Sequence, residues 1–488
     1  MQNVRITAIF LLLVMLMGAL AACGGSGGEG AAADTTAAIT DAAEETTEEV
    51  LKADLPDVDY NGDVFTMYMR KSDGYACDFD VAELSGDTID DAVYERNSKV
   101  AEKFNIVFEI IRDGDDFGLN TARTAVLAGD DSIDLLIPHA RFVFPYALEG
   151  LLYDWQTDLI WVDLDKPWWN DDARAAFSLC NNLFAMVGDI SYTNLGSTKS
   201  MLFNKNILSQ LGLASPYPMV NSGEWTMDKM AELTKSAAAD LNGDGKYNIS
   251  DDRYGYITTH WSGPIQVLYS ANQRIARKDE NDLLYLTLNT ETTVNAFEKF
   301  FAITDAEGGY IQCEDGVSGV TDCFRAGHAL FYDVNIGGVK ALRDMDEDFG
   351  IIPWPKFDET IDKYYANVDA GCNLFIVPIT NADPEQASVI LEALCYEGYL
   401  TVLPTYYDVV LTTKFTRDAE SEDMIDIIRA GRVFDIGYYF FDNSNDLNSV
   451  GWYLTKTPDR SFASVYAKYE PVVLAQYKKV NEKFLALE

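Results

Sequence analysis

Ile133-Asp134-Leu135-Leu136-Ile137 is a short apolar run without polar alternation beyond Asp134, the signature of a strand covered on both faces. Upstream, Val64 to Met69 and Ile106 to Ile111 read as two more strands. Between them Ile89, Val93, Val100 and Phe104 recur at helical spacing, and a further helix runs through Ala122 and Val126. The order strand, helix, strand, helix, strand predicts an α/β lobe with a parallel sheet. In such a sheet the ligand crevice lies beyond the carboxyl ends of the strands, here Arg70 to Asp73 and Pro138 to Phe142.

About 430 residues follow Asp57, too many for one core and enough for two ordinary domains. Hydrophobic residues make up 48% and aromatics 12%, a globular composition. A formal charge of −41 with no basic stripe excludes nucleic acid as a partner, although it says little about the sign of a buried pocket. Cys77, Cys180, Cys313, Cys323, Cys372 and Cys395 lack metal-ligand spacing, and their pairing stays open.

At the amino end, Arg5 precedes 17 residues from Ile6 to Ala22 that are largely apolar, shorter than the ~20 a membrane span needs. Leu20-Ala21-Ala22-Cys23 resembles the bacterial lipoprotein signal, in which cleavage leaves a cysteine that receives acyl chains. That resemblance implies an extracytoplasmic protein anchored to a bacterial cell membrane through Cys23. Gly24 to Val50 is rich in Gly, Ala, Thr, Asp and Glu and reads as a disordered tether. Two motifs inside it, Gly24-Gly25-Ser26-Gly27-Gly28 and Gly25-Ser26-Gly27-Gly28-Glu29-Gly30, mimic a nucleophile elbow and a dinucleotide fingerprint. Both lack the strand and helix that give such motifs their chemistry.

Asp134-Leu135-Leu136-Ile137, with Tyr146-Ala147 and Gly150-Leu151-Leu152 after it, resembles the family 1 extracellular solute-binding proteins, the maltodextrin-binding type. Further matches follow in order: Leu202-Phe203-Asn204-Lys205, Gly212-Leu213, Trp225-Thr226, Phe324-Arg325-Ala326-Gly327-His328-Ala329-Leu330, Gly350-Ile351-Ile352-Pro353-Trp354-Pro355, and Asn373 to Pro378. The last segment, with Leu403-Pro404-Thr405-Tyr406-Tyr407-Asp408, is similar to clostridial lipoproteins of that family. The resemblance implies a two-lobed periplasmic-binding-protein-like α/β fold of type II, with discontinuous lobes joined by hinge strands. Its expected parts are a leader (1–22), the acylated cysteine and linker (23–56), a first lobe (57–188 plus 373–402) and a second lobe (189–372 plus 403–488). Crossings are expected near Phe184 to Ser191, Asp369 to Asn373 and Leu400 to Pro404.

In that family the ligand lies between lobes that close by hinge bending. A sugar pocket needs flat aromatic walls for CH faces and polar groups for hydroxyls. The resemblance places Arg70, Pro138, His139, Arg141 and Phe142 on the first lobe, Asp189, Ser191 and Tyr192 at the first crossing, and Tyr332, Asp333 and Asn335 on the second lobe. Composition adds Tyr438, Tyr439 and Trp452 to the late part of the cleft. The function implied is a monomeric binding component of an ABC importer that captures a small solute, a mono- or oligosaccharide foremost, and delivers it to permease subunits. Two other readings stay open: a surface glycan-binding lipoprotein without transport, and a binding protein for a peptide or other polar solute. Three histidines without zinc-site spacing give a metallohydrolase little to stand on, and a glycoside hydrolase has only undirected carboxylates in its favour.

Asp240-Leu241-Asn242-Gly243-Asp244-Gly245-Lys246-Tyr247-Asn248-Ile249-Ser250-Asp251 follows the spacing of a calcium loop. Asp240, Asn242, Asp244, Asn248 and Asp251 would supply side-chain oxygens, Lys246 its carbonyl, and Gly245 the sharp turn. Asp251 stands where an EF-hand carries glutamate, as in dockerin-type loops. One structural Ca²⁺ is the expected cofactor.

Overall fold

The computed structural model describes residues 51–312, 318–412, 419–440 and 447–486, so Cys23, the tether and Cys313 lie outside it. Strands β1 (Asp63–Met69), β2 (Ile106–Arg112) and β3 (Leu135–Ile137) form a fully parallel sheet in the order β2-β1-β3. Helix α1 (Thr88–Phe104) connects the first two and turns Ile89, Val93, Val100 and Phe104 inward, as their spacing predicts. Its start is set by Asp87, whose carboxylate accepts the N–H groups of Ile89 and Asp90. It stops at Asn105, which adopts φ 50°, a left-handed turn that asparagine tolerates.

The second sheet holds β4 (Lys199–Asn204), β5 (Tyr254–Thr259), β6 (Gly309–Gln312), β7 (Ala329–Asn335) and β8 (Phe349–Ile352), in the order β8-β4-β7-β5-β6. β4 runs antiparallel to both neighbours, whereas β5 is parallel to β6 and β7. All six residues of β4 are buried. The Asn204 side chain ends that strand by capping α2 (Lys205–Leu211), and Thr226 caps α3 (Met227–Ala237) in the same way.

Residues 366–378 run along both sheets. Ala366–Asn367 pairs with Arg432–Val433, and Val368 bridges Thr198 beside β4. The Ala140 N–H then donates to the Ala370 carbonyl, and antiparallel bridges join His139 to Asn373, Met186 to Phe375, and Leu136 to Ile376. Helix α4 (Gly263–Ser270) follows β5, and α5 (Pro384–Glu397) packs on α1. Where a third extended crossing was expected, near Leu400 to Pro404, the chain is helical: a π-turn at Gly398–Val402 runs into α6 (Leu403–Thr412). Gly188 and Gly398 sit where a methyl group would strike neighbours, Cys395 and Trp169 in the first case and the Asp189 carbonyl in the second. Two late helices, α7 (Val450–Thr455) and α8 (Phe462–Leu485), complete the fold. Among the described residues no helix is long and apolar enough to cross a membrane, and Cys77, Cys323, Cys372 and Cys395 are free thiols.

Glu392 lies inside this packing, accepting the indole N–H of Trp168 at 2.9 Å and of Trp169 at 2.7 Å. Burial pushes its carboxyl up to about 7 against those hydrogen bonds. A carboxyl raised in the folded state binds its proton more tightly there than in the unfolded chain, so stability falls as pH rises through its folded value. Glu392→Gln keeps an acceptor for the indoles and removes the charge. The variant should gain about 2 kcal/mol on the wild type between pH 5 and pH 8, read from urea unfolding at each pH; a gap that does not change with pH refutes the assignment.

Candidate binding site

The turns after β3 and β5 open on a common cavity of about 480 Å³. His139 and Arg141 reach it from the first sheet, Trp261 and Ile265 from the segment after β5, and Asp369 and Ala370 from the strip that joins the sheets. Tyr438, Asn448, Ser449, Trp452 and Tyr453 close it from the late segment. The cavity therefore lies at the carboxyl ends of parallel strands, where an α/β sheet leaves its backbone ends and loops available to a ligand.

Asp369 organises the polar side of the cavity. Its carboxylate accepts the Gly371 N–H at 2.8 Å and the Tyr438 hydroxyl at 3.3 Å, and pairs with the Lys199 ammonium at 3.5 Å. Burial works to raise its pKa, but Lys199, the Gly371 N–H and Arg141 outweigh burial and hold it below the ordinary value. Lys199 also donates to Ser262 Oγ at 3.1 Å and lies over the Trp261 ring. The Arg141 guanidinium stacks on Tyr438, 4.4 Å from the ring centroid. His139 accepts the Arg141 N–H through Nδ1. Burial, with Arg70 and Arg141 nearby, pushes its pKa down to about 3, so the imidazole is neutral at pH 7.

Four of the residues expected at the site meet in this cavity: His139, Arg141, Tyr438 and Trp452. The others lie elsewhere. Arg70 is buried beneath, its Nη2 donating to the Gly371 carbonyl and Asn373 Oδ1, both at 2.6 Å, with its guanidinium over Tyr75. Pro138 is buried, and Phe142 packs against Phe117 and the His139 ring behind the cavity wall. Asp189 and Ser191 line a separate cavity of about 40 Å³ with Arg429 and Arg432. There burial pushes Asp189 up to about 7.

Tyr192 is packed on Tyr406, and Tyr332 on Phe324 with its hydroxyl against Thr321, both inside the second core. Asp333 is 2% exposed and accepts the Tyr256 hydroxyl at 2.9 Å, Asn335 is half-buried with Oδ1 enclosed, and Tyr439 is buried with its hydroxyl donating to the Val368 carbonyl. Tyr332, Asp333 and Tyr439 thus belong to the interior instead of the cavity surface, because β7 is covered on both faces and Tyr439 faces the opposite way from Tyr438.

Sequence reading missed Trp261, Ile265, Asp369, Ala370, Asn448, Ser449 and Tyr453. For Trp261 a signal was present: it follows β5 directly, the same position relative to its strand that His139 holds after β3.

The loop from Asp240 to Asp251 is held by its own backbone. Asp240 accepts the N–H groups of Gly243 and Gly245, Asn242 that of Asp244, Asp244 that of Lys246, and Asn248 that of Ser250. The buried acid here is Asp252, which accepts from Leu241 and Asn248. Among the described residues no group of three acidic, histidine or cysteine side chains is placed to share a metal ion.

No family model matches this sequence, and no curated protein matches it. Solved structures do. A cyclo/maltodextrin-binding protein complexed with maltotetraose is similar at a TM-score of 0.54, covering 86% of this chain and 97% of that one at 14% identity. The fold is the two-lobed one of solute-binding proteins. A sugar transporter from Rhizobium etli in an open conformation is similar at TM-score 0.53 and 13% identity over 87% of this chain and all of that one. The solute-binding protein RafE in complex with raffinose follows at TM-score 0.51 and 14% identity, covering 84% and 99%. Identities this low carry the two-lobed architecture and nothing finer.

Because Asp333 satisfies Tyr256 inside the second lobe, Asp333→Ala strands a buried hydroxyl. It should destabilise the fold by about 2 kcal/mol in chemical denaturation. An unaltered unfolding midpoint would return Asp333 to the cavity surface.

Proposed function

We propose that this chain is the extracytoplasmic binding component of an ABC importer, lipid-anchored through Cys23 in the clostridial manner, which captures a mono- or oligosaccharide between its lobes. It delivers that saccharide to permease subunits as a monomer. The observation that carries the reading is the convergence of Trp261, Tyr438, Trp452 and Tyr453 with His139, Arg141, Asp369, Asn448 and Ser449 on one cavity. Aromatic faces suit the CH surfaces of a pyranose, and the polar groups suit its hydroxyls. That the neighbouring structures were solved with maltotetraose and raffinose supports the same chemistry.

The mechanism is capture. In an open form each lobe offers half of the contacts, and a guest that touches both favours the closed form by the contacts made only there. Asp369 lies on the strip joining the sheets, so it presents an ionised acceptor whichever lobe the guest meets first. Turnover is not part of the reading.

A thermal-shift screen against mono- and oligosaccharides should raise the melting temperature with a ligand at saturating concentration. Trp452→Ala should weaken that ligand about tenfold in calorimetry, a loss of roughly 1.4 kcal/mol, with the unliganded melting temperature kept. No shift with any saccharide, or unchanged affinity in the variant, counts against the reading.

A calcium ion would be held by the oxygen donors spaced from Asp240 to Asp251. Calcium added to chelator-treated protein should then raise the melting temperature, and Asp240→Ala should abolish the rise; no rise in the wild type leaves the loop as a turn.

A further inference from the structure

Resting on the saccharide reading, we propose that the guest carries a carboxylate, as a hexuronate or a uronate-bearing oligosaccharide does, and that Arg141 is the group that holds it. Arg141 lines the cavity and stacks on Tyr438, yet among the described residues its guanidinium makes no hydrogen bond or ion pair. Its Nε is enclosed and without a partner. Arg141 is half-buried, its Nε has no partner, and the one acid whose charge it feels, Asp369, is already paired with Lys199, so a ligand that brings its own carboxylate gains a contact the apo protein lacks.

Among the described residues, the carboxylates nearby already have partners. Asp369 is taken by Lys199, the Gly371 N–H and the Tyr438 hydroxyl. Asp333 is enclosed with Tyr256. Asp78 lies deeper, bonded to Ser191, Thr193 and the Asn373 amide.

Behind His139 stands a second guanidinium with unbonded nitrogens, in the fields of Asp78 and Asp116. Arg70 is 1% exposed, and while Nη2 is bonded, Nε and Nη1 have no partner. The fields of Arg70 and Arg141 both act to keep His139 uncharged. A neutral imidazole leaves one ring nitrogen able to share in holding a guest without adding a third cation. The cavity wall on the first-lobe side is thus cationic inside a chain of formal charge −41. A planar fork lying on an aromatic ring matches a planar carboxylate in two parallel hydrogen bonds, a match that a hydroxyl does not reproduce; a phosphate ester can be gripped the same way, which is why glucose 6-phosphate is one arm of the test. Asp369, although bonded to Lys199, the Gly371 N–H and the Tyr438 hydroxyl, keeps carboxylate lone pairs that can accept a ring hydroxyl.

The test is calorimetry on the folded chain with glucuronate, galacturonate and their oligomers, set against glucose, galactose, maltotriose and glucose 6-phosphate. Uronates should bind at least tenfold tighter than their neutral counterparts. Arg141→Gln should bring the two classes to parity, and Arg141→Lys, which keeps the charge but loses the fork, should restore part of the preference. Neutral sugars binding as well as uronates, a preference that survives Arg141→Gln, or binding of the phosphate ester alone would overturn the assignment while leaving a saccharide site standing. Failure of every saccharide, acidic and neutral, would remove the saccharide reading as well. The wild-type comparison decides the matter even if a variant folds poorly.

Discussion

The strip from Ala366 to Pro378 is hydrogen-bonded to both halves of the molecule, and much of the architecture follows from that. At one end it pairs with Arg432–Val433 and bridges Thr198 beside β4; at the other it lies antiparallel to Leu136 in β3. Backbone groups satisfied on both sides leave little freedom between them, so Asp369 and Ala370 sit at a fixed point where the lobes meet. The cavity floor is consequently backbone-defined. In the proposed capture, what would change is the approach of the walls, Trp261 on one side and His139 with Arg141 on the other.

Much of the first lobe was legible because its signals are local. The periodicity of Ile89, Val93, Val100 and Phe104 specified α1, and an unbroken apolar run specified β3, although only Leu135–Ile137 pairs as strand. Strands covered on both faces are where reading failed. In β7 the first five residues are buried, so neither parity nor residue type separates Tyr332 and Asp333 from a surface platform. The late segment is hard for another reason: Tyr438 and Tyr439 are adjacent and chemically alike, and a short helix sends one to the cavity and the other to the Val368 carbonyl. Asp369 was invisible as a contact because its role depends on Lys199, far away in sequence, and on a strip whose two-sided pairing no local pattern encodes.

Charge divides along the same line between surface and interior. The acid surplus is largely solvated, where each carboxylate contributes little. Inside, each ionisable group has a particular partner or goes without one. Glu392 is held by two indoles, Asp333 by a tyrosine, Asp369 by an ammonium, while Arg70 and Arg141 keep unspent donors near the same cavity. The net charge of the chain therefore carries no information about the sign of the site, which is set by a few groups withdrawn from water.

The free thiols have a consequence of their own. Burial pushes Cys77, Cys323 and Cys372 up to about 12 and Cys395 further, so almost none of the reactive thiolate exists at neutral pH. These sulfurs serve as small space-filling apolar groups, like Cys395 wedged against Gly188. At these four positions, then, folding requires no electron acceptor, and the buried sulfurs offer an oxidant almost no thiolate to attack.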